Sequence, residues 1–308
     1  MSDNIIYRRA TPEDIPVIYS LLSTMYKIKR PKEFWTWQCF ETVIPVVLMC
    51  GFCGNELVGI FGIQKRKLTH NLICGQANHL NIAPRWREKG HFTRLGQAAI
   101  GNFNDLDVLC IFANKRAKLP CERSFGFKTI GALRILILDY LADIVNNGTK
   151  CESVTKKTVF PEIKKQQDSI IIFQDSQKYR FWRYALNPMY SYSIVTIDTG
   201  EFAIIKKFVD PVTKTSYGDI VDFECSLKDS RKLKRLFIGA CWHLKELGAN
   251  KITTWAVPGT MVRKVVEEIG FREGEYESYF CVKVLKPEFN YIYNFSKWHL
   301  RQADATNY

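Results

Sequence analysis

The chain has 308 residues, of which 46% are hydrophobic and 24% charged, and its formal net charge is +13. That composition excludes a disordered or collagen-like chain, and the length suits two domains of ordinary size, each burying its own core. No apolar run is long enough to cross a bilayer and the N-terminus lacks a signal-peptide pattern, so a cytoplasmic protein without membrane insertion is expected.

In chain order, "NIIYRRA" alternates like a strand, and "TPEDIPVIYSLLSTMY" opens a helix with Thr11 as N-cap, Pro12 in the first position and Asp14 completing a capping box. "VIPVVLMCGFCGNELVGIFGI" reads as a hairpin turning at Gly54-Asn55. Its Cys50 and Cys53 have a metal-like spacing but no second pair follows, so no metal is expected. All ten cysteines read as reduced thiols in apolar surroundings. A strand "LICGQANHLNIA", a basic turn "PRWREKG", a helix from Phe92 to about Phe103, a strand "DVLCIFAN", a short helix and a strand "GFKTIGALRILIL" follow. The order predicts a mixed α/β arrangement.

The second half repeats this order. Trp37 and Trp182, in "KEFWTWQCF" and "YRFWRYALNP", lie 145 positions apart, as do Asn55 and Gly200, while Gly126 and Gly270 lie 144 apart. A nearly constant offset implies one supersecondary order laid down twice. We therefore expect an α/β (α+β mixed sheet) protein of two tandem domains, residues 1–145 and 179–308, joined by a connector over 146–178 that carries turn signals at Asn147-Gly148 and Pro161. In the longest helix of the second copy, Leu233, Leu236, Phe237, Ala240, Cys241 and Leu244 form one apolar stripe expected to face the core.

The turn between the strand ending near Ala83 and the helix beginning at Phe92 carries the chemistry. A helix N-terminus presents unpaired N–H groups and the positive end of the dipole, a glycine allows close approach or positive φ, and Arg85, Arg87 and Lys89 add cationic charge. Diphosphate suits such a place. Arg87-Glu88-Lys89-Gly90-His91-Phe92 resembles the Gln/Arg-x-x-Gly-x-Gly/Ala signature of the GNAT superfamily of acyl-coenzyme A dependent N-acyltransferases, with Phe92 departing from the small residue usual at the last position. Asn114 at the end of "IFAN" and "FGF" at Phe125–Phe127 resemble later elements of that family, and the likeness covers most of residues 4–135.

The resemblance implies a coenzyme A thioester, acetyl or a short hydroxyacyl such as hydroxybutanoyl, held by Asn81, Ile82, Ala83, Arg85, Arg87, Glu88, Lys89, Gly90, His91, Phe92 and Asn114, with backbone N–H groups around Asn81–Ala83 meeting the thioester oxygen. His91 would cap the helix or touch phosphate. His79, on the strand leading into the turn, is the first candidate for general base because histidine titrates near neutrality. Strand alternation puts Asn78 on the opposite face, so only one of the two would line the cleft. A tyrosine that many family members use to reprotonate the thiolate is replaced here by "CERSFGF", which leaves Cys121 or Ser124 as candidates beside Glu122.

The tandem layout looks like that of bacterial family members that acylate a nucleotide-linked (dTDP or UDP) amino sugar for surface polysaccharide. Trp35, Trp37, Trp182, Arg183, Trp298 and Arg301 are then candidates for the base and diphosphate of the acceptor. The 145-residue offset carries Arg87 and Gly90 onto Lys232 and Arg235, and Pro258 stands near the offset position of Asn114, so the second copy is expected to be degenerate and to shape the acceptor site or brace the fold. Rival readings are an aminoacyl-tRNA dependent transferase of the cell-wall peptide type and a non-enzymatic nucleic-acid binding module. No standard nucleic-acid signature is present and no nucleic-acid partner is expected; a homo-oligomer stays open.

Overall fold

Residues 4–25, 29–161, 169–198 and 200–305 are described by the structure, a computed structural model. Two compact units interleave along the chain, the first formed by Met1–Gly131 with Tyr279–Tyr293 and the second by Ala132–Ser278 with Asn294–Tyr308.

In the first unit, β1 (Ile5–Arg9) leads to a single 3-10 turn, Pro12–Asp14, closed by the expected capping box. The Thr11 amide donates to the Asp14 carboxylate at 2.8 Å, and Arg8 donates to the same group at 2.6 Å, which locks the entry to α1 (Ile15–Ser23). After α2 (Lys32–Cys39) come the hairpin β2 (Val46–Cys53) and β3 (Glu56–Lys67), with its turn at Gly54, where φ is 56°. β4 (Ile73–Ile82), α3 (His91–Ile100), β5 (Val108–Ala113) and α4 (Lys115–Phe125) follow. The helix expected to run to about Phe103 stops at Ile100, where Gly101 turns the chain and its amide donates to the Gln97 carbonyl at 2.9 Å.

The strand order in this unit is β1-β2-β3-β4-β5, and the far edge of β5 is taken by residues 279–284, the end of the chain's last strand, with Tyr279 opposite Ala113 and Val284 opposite Val108. All neighbours are antiparallel except β4 and β5, which the crossover through α3 makes parallel. On one face Phe61, Ile63, Ala77, Leu109 and Ile111 pack under Leu95, Ala99 and Phe125 of the helices. Gly96 makes that packing close, because a Cβ there would stand 2.2 Å from the Phe125 ring.

The second unit begins with the latter part of β6 (Lys128–Leu138), then β7 (Lys150–Ser153), α5 (Gln177–Arg180) running into a π turn at Phe181–Ala185, β8 (Tyr192–Thr196), β9 (Phe202–Val209), β10 (Ser216–Glu224), α6 (Ser230–Glu246), β11 (Lys251–Thr254), α7 (Met261–Ile269) and the first part of β12 (Arg272–Val284). Its order is β6-β11-β10-β9-β8-β7, again with one parallel pair, β10 with β11. The stripe of α6 is buried as expected, from Leu233 to Leu244, against Ile205, Ile220 and Ile252.

Within the stretch expected as a connector, β7 pairs with β8, and Phe160 is buried in the core of the second unit; residues 162–168 of that stretch lie outside the described residues. No helix among the described residues is long and apolar enough to cross a membrane.

Gly96→Ala forces Phe125 to move and is expected to cost about 1–3 kcal/mol, read as a lowered midpoint in urea unfolding.

Candidate functional site

β4 and β5 hold together only at their beginnings. Their paired residues are Cys74 with Val108, Gly75 with Leu109 and Gln76 with Cys110, after which the ladder ends although both strands continue. On its other edge β4 stays paired with β3, but through a bulge: Gly62 faces Asn78 and Ile60 faces Asn81, so His79 and Leu80 stand against the single residue Phe61. His79 takes φ 51° there. A bulge of this kind resets strand alternation, so the expectation that Asn78 and His79 point to opposite faces loses its basis.

His79 lies edge-on to Trp35, ring centroids 5.5 Å apart, and is buried with no hydrogen-bond partner for Nε2. Burial, helped by the Arg30 charge, pushes its pKa down to about 3. The expectation that it titrates near neutrality is therefore corrected: burial favours the neutral imidazole and leaves it too weak a base to keep an ammonium proton.

Beyond β4 the chain makes a 3-10 turn, Pro84–Trp86, and then the loop Arg87-Glu88-Lys89-Gly90. Glu88 and Gly90 both adopt left-handed backbone, with φ of 64° and 79°. Gly90 is the N-cap of α3 and brings no side chain to the helix end; a Cβ there would meet no atom within 4 Å, so the positive φ, and not crowding, is what asks for glycine. The first intrahelical bond runs from the Arg94 amide to the Gly90 carbonyl at 3.2 Å, which places the amides of His91, Phe92 and Thr93 ahead of the ladder. Left-handed residues alternating with ordinary ones concentrate amide dipoles into an anion-binding concavity.

Cations surround this end. Arg85, Arg87 and Lys89 are exposed; Arg85 pairs with Glu56 and lies over the Trp86 ring at 5.1 Å, Lys89 Nζ lies over the same ring at 4.9 Å, and Arg87 Nε donates to the Ile82 carbonyl at 3.1 Å. Trp86, absent from the sequence expectations, is the buried platform on which two of these cations rest, and its Nε1 donates to Glu56 at 3.0 Å. His91, expected at the helix cap or on phosphate, instead turns inward: it is buried, bonds the Tyr7 hydroxyl through Nδ1 at 2.6 Å and sits against Trp86. Phe92 packs on Phe61 and Phe125, so its side chain anchors the helix to the core.

The main chain of Asn81, Ile82 and Ala83 is more engaged than expected. Asn81 and Ile82 pair with Ile60 and Gly59, and the Ala83 amide donates to the Val58 carbonyl at 2.9 Å. That takes Ala83 out of the set of amides able to meet a thioester. Asn114 caps α4, its Oδ1 accepting from the amides of Arg116 and Ala117 at 3.0 and 2.9 Å. Cys121 is fully buried in the core and burial pushes its thiol up to about 12, the setting of a packing residue. Ser124 accepts a hydrogen bond from Thr93 at 2.9 Å and ties α4 to α3.

The six residues expected to hold the acceptor are all buried, Trp298 with 0% exposure and Trp37, the most open of them, with 3%. Trp35 and Trp37 sit in α2 of the first unit, each with its ring centroid 5.4 Å from that of Phe34. In the second unit Arg183 donates to the Ala305 carbonyl at 2.9 Å. Arg301 donates to Asp222 at 2.7 Å, to Asp304 at 2.9 Å and to Asp175 at 3.0 Å, and the far oxygen of Asp222 accepts from Tyr184 at 2.7 Å. A guanidinium met by three carboxylates has no remaining claim on a diphosphate; Arg301 fastens the C-terminal segment to β10.

The second unit has no counterpart of the glycine end. α6 follows β10 as α3 follows β4, but its N-cap is Asp229, whose carboxylate accepts from the Lys232 amide at 3.0 Å. The residue at Gly90's place is thus Asp229 and not Arg235, since the repeat spacing contracts to 139 here and Arg235 falls within the helix. An attached anion already fills that helix end. The N-cap of α7 is likewise Thr260, not Pro258, in the place that Asn114 takes before α4.

No family model and no curated protein matches the sequence. Solved structures do. A GCN5-related N-acetyltransferase from Anabaena variabilis superposes with a TM-score of 0.64 at 12% identity, over 92% of this chain and 73% of that one. The fold is that of the GCN5-related N-acetyltransferases. A tandem GNAT protein from the clavulanic acid biosynthesis pathway matches over 92% of this chain and 99% of its own at TM-score 0.59 and 12% identity. The N-myristoyltransferase of Saccharomyces cerevisiae, solved with bound myristoyl-CoA, matches over 92% of this chain and 83% of its own at TM-score 0.58 and 11% identity. Among the described residues no group of three or more histidine, cysteine or acidic side chains could hold a metal ion.

Because His79 is held neutral in the fold and ionises freely when unfolded, its contribution to stability is complete above pH 6.5 and falls as the pH drops toward 3. His79→Gln is expected to flatten that acid limb in chemical unfolding between those values. Arg301→Ala, which removes the cation shared by three buried carboxylates, is expected to destabilise the chain by about 3–5 kcal/mol in the same assay.

Proposed function

We propose that the chain is an N-acyltransferase that takes its acyl group from a coenzyme A thioester and places it on an amine, with the first unit holding the thioester. One observation carries this reading: the gap opened where β4 leaves β5 runs directly into an α3 N-terminus that has no capping side chain, two left-handed residues and three cations around it. The parting of β4 from β5 offers an extended arm main chain to lie along, and the helix end has the charge for its pyrophosphate. The anionic Asp229 cap speaks for a second unit that does not bind the carrier, and so for its role in bracing the fold or shaping the acceptor site.

In the reaction the amine nitrogen attacks the thioester carbon, the C–N bond forms, the C–S bond breaks, and the proton lost by nitrogen is matched by one taken up at the departing thiolate. Alternate main-chain amides of Ala77–Ile82 on the edge freed from β5 supply the electrostatic support for the carbonyl oxygen. His79, neutral and buried, orients the amine by hydrogen bonding, while net proton removal falls to water and to the amine's own ionisation. In its finer form the proposal is an acetyl or short hydroxyacyl group delivered to the amino group of a nucleotide-linked sugar. The sequence resemblance and the tandem layout support that finer form.

The test is thermal stabilisation by acetyl-coenzyme A set against RNA. A melting shift with the thioester alone is expected, and its loss in Gly90→Val, whose branched side chain disfavours φ 79°, with the unliganded variant still folded. A shift with RNA and none with the thioester overturns the proposal.

A further inference from the structure

Polar atoms that the fold leaves unmatched lie beside the β4 bulge. Asn78 is 4% exposed, yet neither its Oδ1 nor its Nδ2 has a hydrogen-bond partner. Folded chains seldom leave both ends of a buried carboxamide idle, since each costs the full desolvation of a polar group. The arrangement that tolerates it is specific. Asn78 stands two residues beyond Gln76, the last residue of β4 paired with β5, and opposite Gly62 of β3, where any Cβ would come within 2.2 Å of Asn78 Oδ1. A side chain at position 62 would displace the carboxamide; glycine lets it lie against β3. The next residue, His79, adds a third partnerless atom, Nε2, held by the left-handed bulge.

These atoms comprise a donor at Nδ2, an acceptor at Oδ1 and an imidazole nitrogen. A thioester carbonyl offers only an acceptor and leaves Oδ1 unmatched. A plain alkylamine supplies N–H donors and leaves Nδ2 unmatched. An amine with a hydroxyl or carboxamide on the neighbouring carbon satisfies all three, its N–H groups directed at Oδ1 and Nε2 and its oxygen accepting from Nδ2. Resting on the acyltransferase reading above, we infer that Asn78 is the acceptor-recognition residue of the first unit and selects amines that carry a vicinal hydroxyl or carboxamide.

The experiment measures coenzyme A thiol release from acetyl-coenzyme A with D-glucosamine against cyclohexylamine, and with glycinamide against ethylamine, using the full chain. The wild type is expected to favour the oxygen-bearing member of at least one pair by about 10- to 100-fold in kcat/KM, each value counted per unprotonated amine. Asn78→Leu, of similar volume but apolar, is expected to bring that ratio close to one while keeping the melting shift given by acetyl-coenzyme A; Asn78→Ala supplies the same reading should the leucine variant fail to fold. The two pairs separate hydroxyl from carboxamide recognition. Equal use of both members of each pair by the wild type, acylation of none of the four amines, or an unchanged ratio in the variants overturns the inference and leaves the acyltransferase reading standing. Absence of any acetyl-coenzyme A shift in the wild type sinks both.

Discussion

The candidate site stands where a sheet ladder ends beside a helix start that no side chain caps. A sheet normally satisfies its own amides, and a helix satisfies all but those of its first turn. Here the two releases adjoin: β4 loses β5 after Gln76, and the chain that continues from β4 enters α3 through a glycine N-cap with no side chain to cap it. Arg85, Arg87 and Lys89 then give the place its sign, with Trp86 holding two of them by their cation–π contacts.

The second unit shows what happens when the same architecture keeps its amides occupied. Its parallel pair and its helix stand in the same order, but Asp229 caps α6 with its own carboxylate, and the tail is fastened across β10 by Arg301 and its acidic partners. One side chain at the cap decides whether the helix end is left open, as at Gly90, or closed by the chain itself, as at Asp229. The difference is local and chemical, while the fold around it is retained.

The repeat, the hairpin at Gly54, the capping box at Thr11–Asp14 and the buried stripe of α6 were legible in the sequence because each depends on neighbours within a few residues or on a regular spacing. So was Gly90, since a positive φ at a helix start asks for glycine. Residue type alone does not fix where a side chain goes. Tryptophan and arginine serve cores as readily as ligands, and all six chosen for the acceptor are buried; His79 was chosen for its ordinary titration, which burial and Arg30 remove. The constant offset misplaces the counterpart of Gly90 because the second unit is shorter both ahead of the end of β10 and in the loop before α6, residues 225–229 against 83–90 before α3.

The sequence by itself determined the order of elements, their duplication and the glycine on which the turn into α3 depends, because these reside in local conformational preference and periodicity. Only tertiary structure decided where β4 and β5 part, that the bulge at His79 breaks the alternation of Asn78 and its neighbour, and that the chain's last strand crosses from the second unit into the sheet of the first. Those outcomes depend on pairing between residues far apart in the chain and on which polar groups that pairing leaves without partners, and no local pattern encodes them.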